Sequence, residues 1–477
     1  AFIGSAVVSI LYICFLAGFA YSSFSLVNQT KETFKLFQAE GYTPQTKEQY
    51  LQILGKFDQT INLANGPLIK PLLNLTSFRD DFDRAFDIYK YLQPALPAFP
   101  ELLGGKDTRK YLVAFQNPAE ARGSGGIIGA FAVLQVDKGK IKVLKVGSNS
   151  LLQSATRVPV RLPDEFFTIY RSDPAIWQNS NMSPHFPYGA QIWLALWQKQ
   201  FSEKLDGVIT LDPVVLSSLL KTTGPISVEN RQITGDNVVQ ETLSDAYQRF
   251  EKDNTARKQY LVEIIQSVAR ATLKSKLDYL SLLRNIEMPI MDHRILIYSS
   301  DSKNEQELLV SKLGGNFNLN DENDYRLVIQ NTAGNKMDYY LARSLIIKSK
   351  SCGKDAQTEV KLSLTNTSSA SEYLPNYVKG RLDLGLPEGK SNSTAITAFI
   401  YGRLNRSVIY AVDEESGEPA GFIKSELERE ALVIPLELNA KQTRSFNIIF
   451  ERGKGPITSY VQPLVSAQKT IISDGCK

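Results

Sequence analysis

Apolar residues recur every three or four positions between residue 25 and about residue 103, a spacing that is typical of amphipathic helices. One helix is predicted to begin at Thr43-Pro44, because threonine is a good N-cap and proline suits the first helical position. A second is predicted from about Ser77 to Leu92, and the Pro-rich segment 93–100 ends this region. We interpret residues 25–104 as a helical stalk. The apolar positions of the two helices are Tyr50, Leu51, Leu54, Phe57, Ile61, Leu63, Phe78, Phe82, Phe86, Ile88 and Tyr89.

The extreme N-terminus is uncharged, since no side chain before Lys31 carries a charge. Residues 1–24 are apolar and long enough to span a bilayer as a helix, so the sequence predicts a transmembrane anchor there. Two alternatives stay open. The Gly-Phe-Ala motif at 18–20 is similar to the cleavage site of a signal peptide. A pilin-like first helix would also be apolar, although pilins usually carry glutamate near the fifth position and this chain has Ser5.

From residue 105 short apolar strands alternate with longer amphipathic helices. Such alternation predicts an α/β layered domain, which we place at residues 105–322. The predicted strands are Tyr111–Phe115, Ile128–Val136, Ile141–Val146 and Leu205–Leu211, and the predicted helices are 188–203, Asp212–Leu220, Asn237–Phe250 and Arg257–Leu273.

After about residue 323 strand-like runs follow one another, separated by turn residues. This pattern predicts a β-sandwich of immunoglobulin-like type over residues 323–455, with a C-terminal tail over 456–477. The fold class is therefore α/β, with an N-terminal transmembrane helix, a helical stalk, an α/β layered domain and a β-sandwich. The predicted strands are Tyr325–Gln330, Ser344–Lys350, Thr358–Asn366, Arg381–Leu386, Thr397–Tyr401, Ser407–Ala411, Ala431–Leu438 and Arg444–Glu451.

Composition excludes several functions. Lys and Arg exceed Asp and Glu by 54 − 50 = 4, which is too weak a bias to indicate nucleic-acid binding. The two histidines, His185 and His293, and three cysteines argue against a His/Cys metal site and a Ser-His-Asp triad.

Two of the three cysteines lie outside the predicted membrane helix. Cys14 lies in the predicted membrane helix, whereas Cys352 and Cys476 lie 476 − 352 = 124 positions apart outside it. An even pair in an exported region predicts one disulfide, and the alternative is two reduced thiols.

The segment from Tyr111 to Val136 carries the candidate chemistry. Glycines allow close approach of backbone to a ligand, and a carboxylate two residues from a guanidinium is typical of anion sites. The alternative is a glycine-rich hairpin with a surface ion pair. The segment is not a Walker A loop, because no Gly-Lys-Ser/Thr follows. Its polar and glycine residues are Asn117, Glu120, Arg122, Gly123, Ser124, Gly125, Gly126 and Gly129.

Five sequence blocks follow one another along the chain: Asn117–Gly129 (N-x-A-E-x-R-x-x-G-G-I-I-G), Asn179–Pro187, Asp206–Pro213, Thr223–Ile226 and Asn335–Leu341. Together they resemble a bacterial envelope family, the domain of unknown function numbered 4012. The pattern differs from the usual family sequence at Met182, where tryptophan is common, and at His185, where aspartate is common.

That family is in turn distantly similar to the LytR-CpsA-Psr phosphotransferases, which transfer glycopolymers from a polyprenyl-pyrophosphate carrier to the cell wall. The likeness lies in the Glu120/Arg122 element, in Leu205–Ile226 and in Asp253-x-x-x-Arg257-Lys258-Gln259. It implies a LytR-CpsA-Psr-like α/β domain on the outer side of the membrane.

The resemblance assigns roles to particular residues. It implies that Asp253 or Glu120 is a catalytic base or a ligand of Mg²⁺, the one cofactor considered. Planar arginine can hold two phosphate oxygens at once, and glycine N–H groups can face the same charge. The implied pyrophosphate-binding residues are Arg122, Ser124, Gly125, Gly126, Arg257 and Lys258, and the implied pocket residues are Asn117, Asn179, Asn181 and Ser183.

Each assignment has a structural alternative. Glu120 and Arg122 could form a structural ion pair. Asn179, Asn181 and Ser183 could make turn hydrogen bonds, and Arg257 and Lys258 could lie on a solvated helix face.

Two functional hypotheses follow. The first is a single-pass membrane-anchored envelope protein, extracytoplasmic in bulk, that binds a polyprenyl-pyrophosphate-linked glycan and could transfer it to a cell-surface acceptor. The second is a non-enzymatic structural or adhesive surface protein, such as a filament or surface-layer subunit, that self-associates and has a non-catalytic α/β domain. Whether the chain is an enzyme stays open at this level.

Overall fold

The computed structural model describes residues 25–476 except 26, 27, 30, 31, 34, 68, 69, 71–78, 276–278, 319–323, 354 and 390. The chain divides into two compact units. The first comprises Ala1–Lys110 and Leu134–Val143, and the second comprises Tyr111–Val133 and Leu144–Lys477.

Helices dominate the first unit: α1 (Pro44–Ala64), α2 (Arg79–Leu92) and α3 (Phe99–Leu102). Helix α1 begins at the predicted N-cap, where Thr43 and Thr46 each accept a backbone N–H from the other, at 3.2 and 2.8 Å. This reciprocal capping satisfies donors that the first helical turn leaves free.

The predicted fold class is wrong in its N-terminal transmembrane helix. No helix among the described residues is long and apolar enough to cross a membrane. The longest described helices carry charged side chains along their length, such as Lys47, Glu48 and Lys56 in α1. Residues 1–24, where the anchor was predicted, lie outside the described part of the chain. We therefore state the fold class as mixed α/β without that helix.

A five-stranded sheet organises the α/β part, with strand order β3-β2-β1-β4-β7. Strand β4 pairs in parallel with β1, with Tyr111 opposite Gly207, and in antiparallel fashion with β7. The strands are β1 (Arg109–Arg122), β2 (Gly125–Asp137), β3 (Lys140–Ser148), β4 (Gly207–Leu211) and β7 (Leu296–Ser299), and β5 (Ile226–Val228) and β6 (Arg231–Ile233) form a separate hairpin.

Helices pack on this sheet through two apolar clusters. One cluster contains Leu112 and Phe131 of the sheet together with Trp193 and Trp197 of one helix. The other contains Leu216 and Ile264, which come from two further helices. The helices are α4 (Asp164–Tyr170), α5 (Phe186–Phe201), α6 (Pro213–Thr223), α7 (Val238–Gln240), α8 (Ala246–Arg249), α9 (Asn254–Lys274), α10 (Tyr279–Met291) and α11 (Ser302–Leu309). A π-helical turn, Glu241–Asp245, connects the two short helices α7 and α8.

The C-terminal part is a sandwich of two five-stranded sheets, ordered β12-β15-β10-β9-β17 and β13-β14-β11-β8-β16. Alternate residues of both sheets, such as Leu327, Leu345 and Leu362, form one buried core. The strands are β8 (Asp324–Asn331), β9 (Leu341–Ser351), β10 (Gln357–Asn366), β11 (Thr394–Tyr401), β12 (Val408–Asp413), β13 (Phe422–Glu426), β14 (Arg429–Leu438), β15 (Thr443–Glu451), β16 (Thr458–Val461) and β17 (Gln468–Ser473).

Two segments of this region differ from the sequence prediction. Residues 456–477, expected as a tail, add β16 and β17 to the two sheets by parallel pairing with β8 and β9. The expected strand Arg381–Leu386 is instead a short helical turn closed by one isolated bridge. It lies in the long connection between β10 and β11, which also holds the short helix α12 (Asn376–Lys379).

The predicted disulfide is confirmed. Cys352 and Cys476 are bonded, with their Cα atoms 5.6 Å apart. The bond ties the chain after β17 to the end of β9, next to which β17 lies.

Candidate functional site

A pocket of about 760 Å³, including its opening to solvent, lies in the second unit. Its walls come from β1, β2, the end of β3, α6, the π-helical turn, α8 and α9, with two further residues from the sandwich region. Its apolar residues are Phe115, Ile127, Gly129, Ala130, Pro213, Leu216, Leu243, Leu261, Val262 and Ile265, and its polar residues are Gln116, Asn117, Ser148, Asn149, Asp212, Thr242, Tyr247, Arg257, Lys258, Lys336 and Tyr377.

Arg257 is the most unusual side chain of this pocket. It lies in the first turn of α9 and is 2% exposed. Its guanidinium donates to Oδ1 of Asn254 and lies over the rings of Tyr377 and Tyr247, 3.9 and 4.4 Å from their centroids. Among the described residues it has no carboxylate within ion-pair distance. A buried cation without a counterion is costly, so this position favours an anionic ligand.

Lys336 brings a second cation to the same rings. Its Nζ lies 5.4 and 5.0 Å from the centroids of Tyr247 and Tyr377, and it forms an ion pair with Glu120. Burial by itself lowers the pKa of Lys336. The Glu120 carboxylate, Tyr247 and Tyr377 together have a larger opposite effect, so the net pKa lies above the usual value. Lys336 is therefore charged, and Glu120 serves as its counterion.

Two amide side chains line the pocket beside these cations. Asn117 donates from Nδ2 to the Tyr247 hydroxyl at 3.1 Å, and its Oδ1 accepts the Ala119 N–H at 3.0 Å. Gln116 is 5% exposed, and its Nε2 has no hydrogen-bond partner among the described residues. An unsatisfied buried donor of this kind suits a ligand oxygen.

Asp212 contributes no free negative charge to the pocket. Its Oδ1 accepts the N–H groups of Val214 and Val215 at 2.9 and 3.1 Å, which caps α6. Its Oδ2 pairs with Arg294.

Arg122, predicted to hold pyrophosphate, lies elsewhere. It does not line the pocket that Arg257 and Lys258 line. Its Nε and Nη2 donate to Oδ1 of Asn179 at 3.1 and 2.8 Å, and its Nη1 donates to the carbonyls of Ala121 and Asn331 at 2.8 and 3.0 Å. Burial lowers the pKa of Arg122, against the opposing effect of Glu120.

The glycines of the β1–β2 hairpin, which were expected to let the backbone approach a ligand, lie close to other protein atoms instead. A Cβ on Gly123 would lie 2.1 Å from the Met182 carbonyl oxygen, and one on Gly126 would lie 2.0 Å from that of Asn117. Gly125 has φ +137° and faces the Gln116 side chain. These residues let the β1–β2 hairpin pack closely against its neighbours.

The remaining predicted pocket residues also make internal bonds. Asn181 donates from Nδ2 to Ser124 Oγ at 3.2 Å and to the Gly126 carbonyl at 3.0 Å. Ser183 donates to Glu426 at 2.6 Å. Ser124, Asn179, Asn181 and Ser183 therefore hold the hairpin and its neighbours together through hydrogen bonds between distant segments of the chain, rather than only through the local turn bonds considered for the last three.

Asp253, the other predicted catalytic carboxylate, is the N-cap of α9. Its Oδ1 accepts the Ala256 N–H at 2.9 Å, and the residue is exposed. It does not line the pocket.

The blocks at 117–129, 206–213 and 335–341 each contribute residues to the pocket, and the block at 179–187 is bonded to the β1–β2 hairpin. Residues 106–247 match the family described as Protein of unknown function (DUF4012). The predicted resemblance to this family is confirmed over that segment, which contains the blocks at 117–129, 179–187, 206–213 and 223–226. No curated protein matches the chain. The more distant likeness to LytR-CpsA-Psr phosphotransferases stays a prediction.

The pocket extends beyond the DUF4012 segment. Arg257, Lys258, Lys336 and Tyr377 all lie after residue 247. Of the predicted site residues, Asn117, Arg257 and Lys258 line the pocket. Sequence reasoning missed Gln116, Lys336 and Tyr377. For Lys336 a signal existed, since it belongs to the block Asn335–Leu341.

The residues do not fit the expected Mg²⁺. Among the described residues no group of three or more His, Cys, Asp or Glu side chains could hold a metal ion. Glu120 forms an ion pair with Lys336, and Asp253 caps a helix. Neither of these carboxylates, which were expected to ligate Mg²⁺, is placed to share a cation with another carboxylate.

Proposed function

We propose that this pocket binds an amphipathic ligand with a phosphate-bearing head and an isoprenoid tail, namely a polyprenyl-pyrophosphate-linked glycan. The observation that carries this proposal is the buried guanidinium of Arg257, which lies beside a largely apolar wall and has no carboxylate partner among the described residues. A phosphate would supply the counterion, and the apolar wall would contact the hydrocarbon.

The polar and apolar halves of the pocket support one ligand of mixed chemistry. Leu261, Val262 and Ile265 follow Arg257 and Lys258 along α9, so one helix presents cations in its first turn and apolar side chains in the next two. The N-terminus of a helix also carries partial positive charge, which favours a phosphate at that end.

The arrangement supports binding better than transfer. The two carboxylates considered as bases are engaged, Glu120 with Lys336 and Asp253 with the helix cap. Neither is placed to accept a proton from an acceptor hydroxyl, so we propose a binding protein for the lipid-linked glycan.

An extracytoplasmic location is part of the same proposal. The disulfide between Cys352 and Cys476 supports an oxidising compartment, where such bonds persist. Polyprenyl-pyrophosphate-linked glycans that reach the outer face of a membrane would meet the protein there.

Calorimetric titration of the purified full chain with farnesyl pyrophosphate tests the proposal. We expect binding to the wild type, and weaker binding of farnesol and of inorganic pyrophosphate, because each lacks half of the ligand. Arg257→Met should weaken binding of farnesyl pyrophosphate by about ten-fold or more, since a charge-assisted bond is lost. Arg270→Met, on an exposed turn of the same helix, is the matched control and should bind as the wild type does. Equal binding by Arg257→Met and wild type would refute the site.

A second function, that of a self-associating surface protein, is favoured by one feature of the sandwich. Strands β12 and β13 are the outer strands of the two sheets, and both expose large apolar side chains: Ile409, Tyr410, Phe422 and Ile423. Exposed apolar edge strands are prone to pair with other chains. Sedimentation of the wild type should show concentration-dependent oligomers that Phe422→Lys abolishes, and a monomer at all concentrations would exclude this function.

A further inference from the structure

Two side chains of the pocket come from the sandwich region, although the rest of its lining lies between residues 115 and 265. Lys336 is in the connection between β8 and β9. Tyr377 is on α12, in the connection between β10 and β11. Both connections therefore reach the pocket from the sandwich.

These two residues share one aromatic pair with Arg257. The rings of Tyr247 and Tyr377 are stacked, with centroids 5.9 Å apart and planes 19° apart. Arg257 from the α/β part and Lys336 from the sandwich region both lie over this pair. Cation–π contacts of this kind stabilise positive charges that lie close together.

The sandwich connections are held in place against the helices of the α/β part. Met337, Leu374 and Val378 pack with Tyr247 in one buried cluster, and the Lys336 N–H donates to the Val378 carbonyl at 2.9 Å. The position of Tyr377 over Arg257 is therefore set by buried packing on either side of it.

The charges of the pocket leave a surplus that fits two phosphates. Arg257, Lys258 and Lys336 are cations, and Glu120 compensates Lys336. Among the described residues neither Arg257 nor Lys258 has a carboxylate partner. Each phosphate of a pyrophosphate diester carries one negative charge, so Arg257 and Lys258 provide one uncompensated cation for each of its two phosphates.

We propose that the β-sandwich completes the ligand site: Lys336 and Tyr377 bind the pyrophosphate group together with Arg257 and Lys258. This assignment depends on the proposed function and adds to it the part of the ligand that the sandwich recognises. Lys336, whose charge Glu120 compensates, contributes an N–H donor from its ammonium group. Tyr377 fixes the guanidinium of Arg257 and presents its own ring edge and hydroxyl at the opening, since it is 45% exposed.

The test compares two variants with a matched control in titrations of the full chain with farnesyl pyrophosphate and farnesyl monophosphate. Tyr377→Leu removes the exposed ring, and the double variant Glu120→Gln/Lys336→Met removes the buried pair together, so that no single charge is left buried. Lys379→Met, on the same short helix and outside the pocket, is the control. Circular dichroism and the unfolding midpoint show whether each variant is folded.

We expect both test variants to weaken binding of farnesyl pyrophosphate by about ten-fold or more, and of the monophosphate by less. The control should bind both ligands as the wild type does. A purely structural role would weaken both ligands equally, so an equal loss would overturn the assignment. Unchanged binding by folded variants would overturn it as well, while the loss caused by Arg257→Met would leave the proposed function standing. If the wild type binds neither ligand, the function and the assignment both fail.

Discussion

Arg122 and Asn179 are joined by two hydrogen bonds, because Nε and Nη2 of the arginine both donate to Oδ1 of the asparagine, at 3.1 and 2.8 Å. The same guanidinium donates to the carbonyls of Ala121 and Asn331. It therefore connects the β1–β2 hairpin to the 3₁₀ turn Trp177–Asn179 and to the end of β8. These contacts give Arg122 a structural role, and its assignment to a pyrophosphate stays a prediction.

Replacing Arg122 should thus reduce stability and leave ligand binding intact. Arg122→Met removes four hydrogen bonds and leaves buried carbonyls unsatisfied, so we expect a loss on the order of 3–5 kcal/mol in the free energy of unfolding. Urea denaturation measures it. Arg270→Met, which changes an exposed arginine, should cost less than about 0.5 kcal/mol. If Arg122→Met kept wild-type stability but lost farnesyl pyrophosphate binding, the original assignment of Arg122 to the ligand would be restored.

The glycines of the hairpin offer a second test of its packing role. Gly126→Ala places a Cβ 2.0 Å from the Asn117 carbonyl oxygen, so backbone must move. We expect destabilisation of about 1–3 kcal/mol or more in thermal or urea unfolding. Gly129→Ala is the matched control on the same strand, since its nearest atom is Asn117 Cβ at 3.7 Å, an ordinary contact. Equal stability of the two variants would show that close approach is not why Gly126 is glycine.

Sequence reasoning found part of the site because some of its signals are local. Arg257 and Lys258 stand at the start of a helix whose amphipathic pattern is visible in the chain, and Asn117 stands in a strand block. Lys336 and Tyr377 reach the same pocket from more than 70 residues further along the chain, through connections of the sandwich. No periodicity links them to Arg257, so only tertiary packing could reveal their common ring pair.

Local structure was predictable where the sequence shows a helix cap or a regular alternation of apolar and polar residues. Thr43 and Asp212 both cap helices, and each precedes a proline at the first helical position. Strand β10 alternates buried and half-buried residues along its length. Residues 458–461 and 468–473 were missed because each is a short strand whose pairing is with residues more than 100 positions away. The segment from Arg381 to Leu386 was predicted as a strand, but it is a turn closed by one bridge between these two residues.

Burial of the His185 side chain should make the free energy of unfolding depend on pH. Its Nδ1 accepts the Phe317 N–H at 3.2 Å, and burial lowers its pKa to about 4 from 6.5. At this residue the folded state therefore binds fewer protons than the unfolded state between these values, and the contribution of His185 to stability falls as pH drops from about 6.5 to 4. His293, with a pKa lowered by burial to about 3, adds an effect of the same sign.

The variant His185→Asn keeps a hydrogen-bond acceptor near the Phe317 N–H and cannot be protonated. The difference in unfolding free energy between wild type and variant should thus change with pH between about 6.5 and 4, in favour of the variant at the acidic end, and be constant above pH 7. Urea denaturation at a series of pH values measures it. A difference that does not vary with pH would mean that His185 is protonated as easily in the folded chain as in the unfolded one.

The disulfide gives the last prediction, because it closes a long loop. Cys352 and Cys476 are separated by 124 positions, and their bond fixes the end of the chain beside β9. In the chain-entropy model, a loop of this length stabilises the fold by on the order of 4–5 kcal/mol. The double variant Cys352→Ser/Cys476→Ser should lose about that much in urea denaturation, and reducing agent should lower the stability of the wild type to the same level without affecting the variant. Arg452 pairs with Asp474 at 2.6 Å two residues before Cys476, so Arg452→Met separates the contribution of this neighbouring ion pair. If it alone produced most of the loss, the ion pair and not the covalent loop would hold the C-terminus on the sandwich.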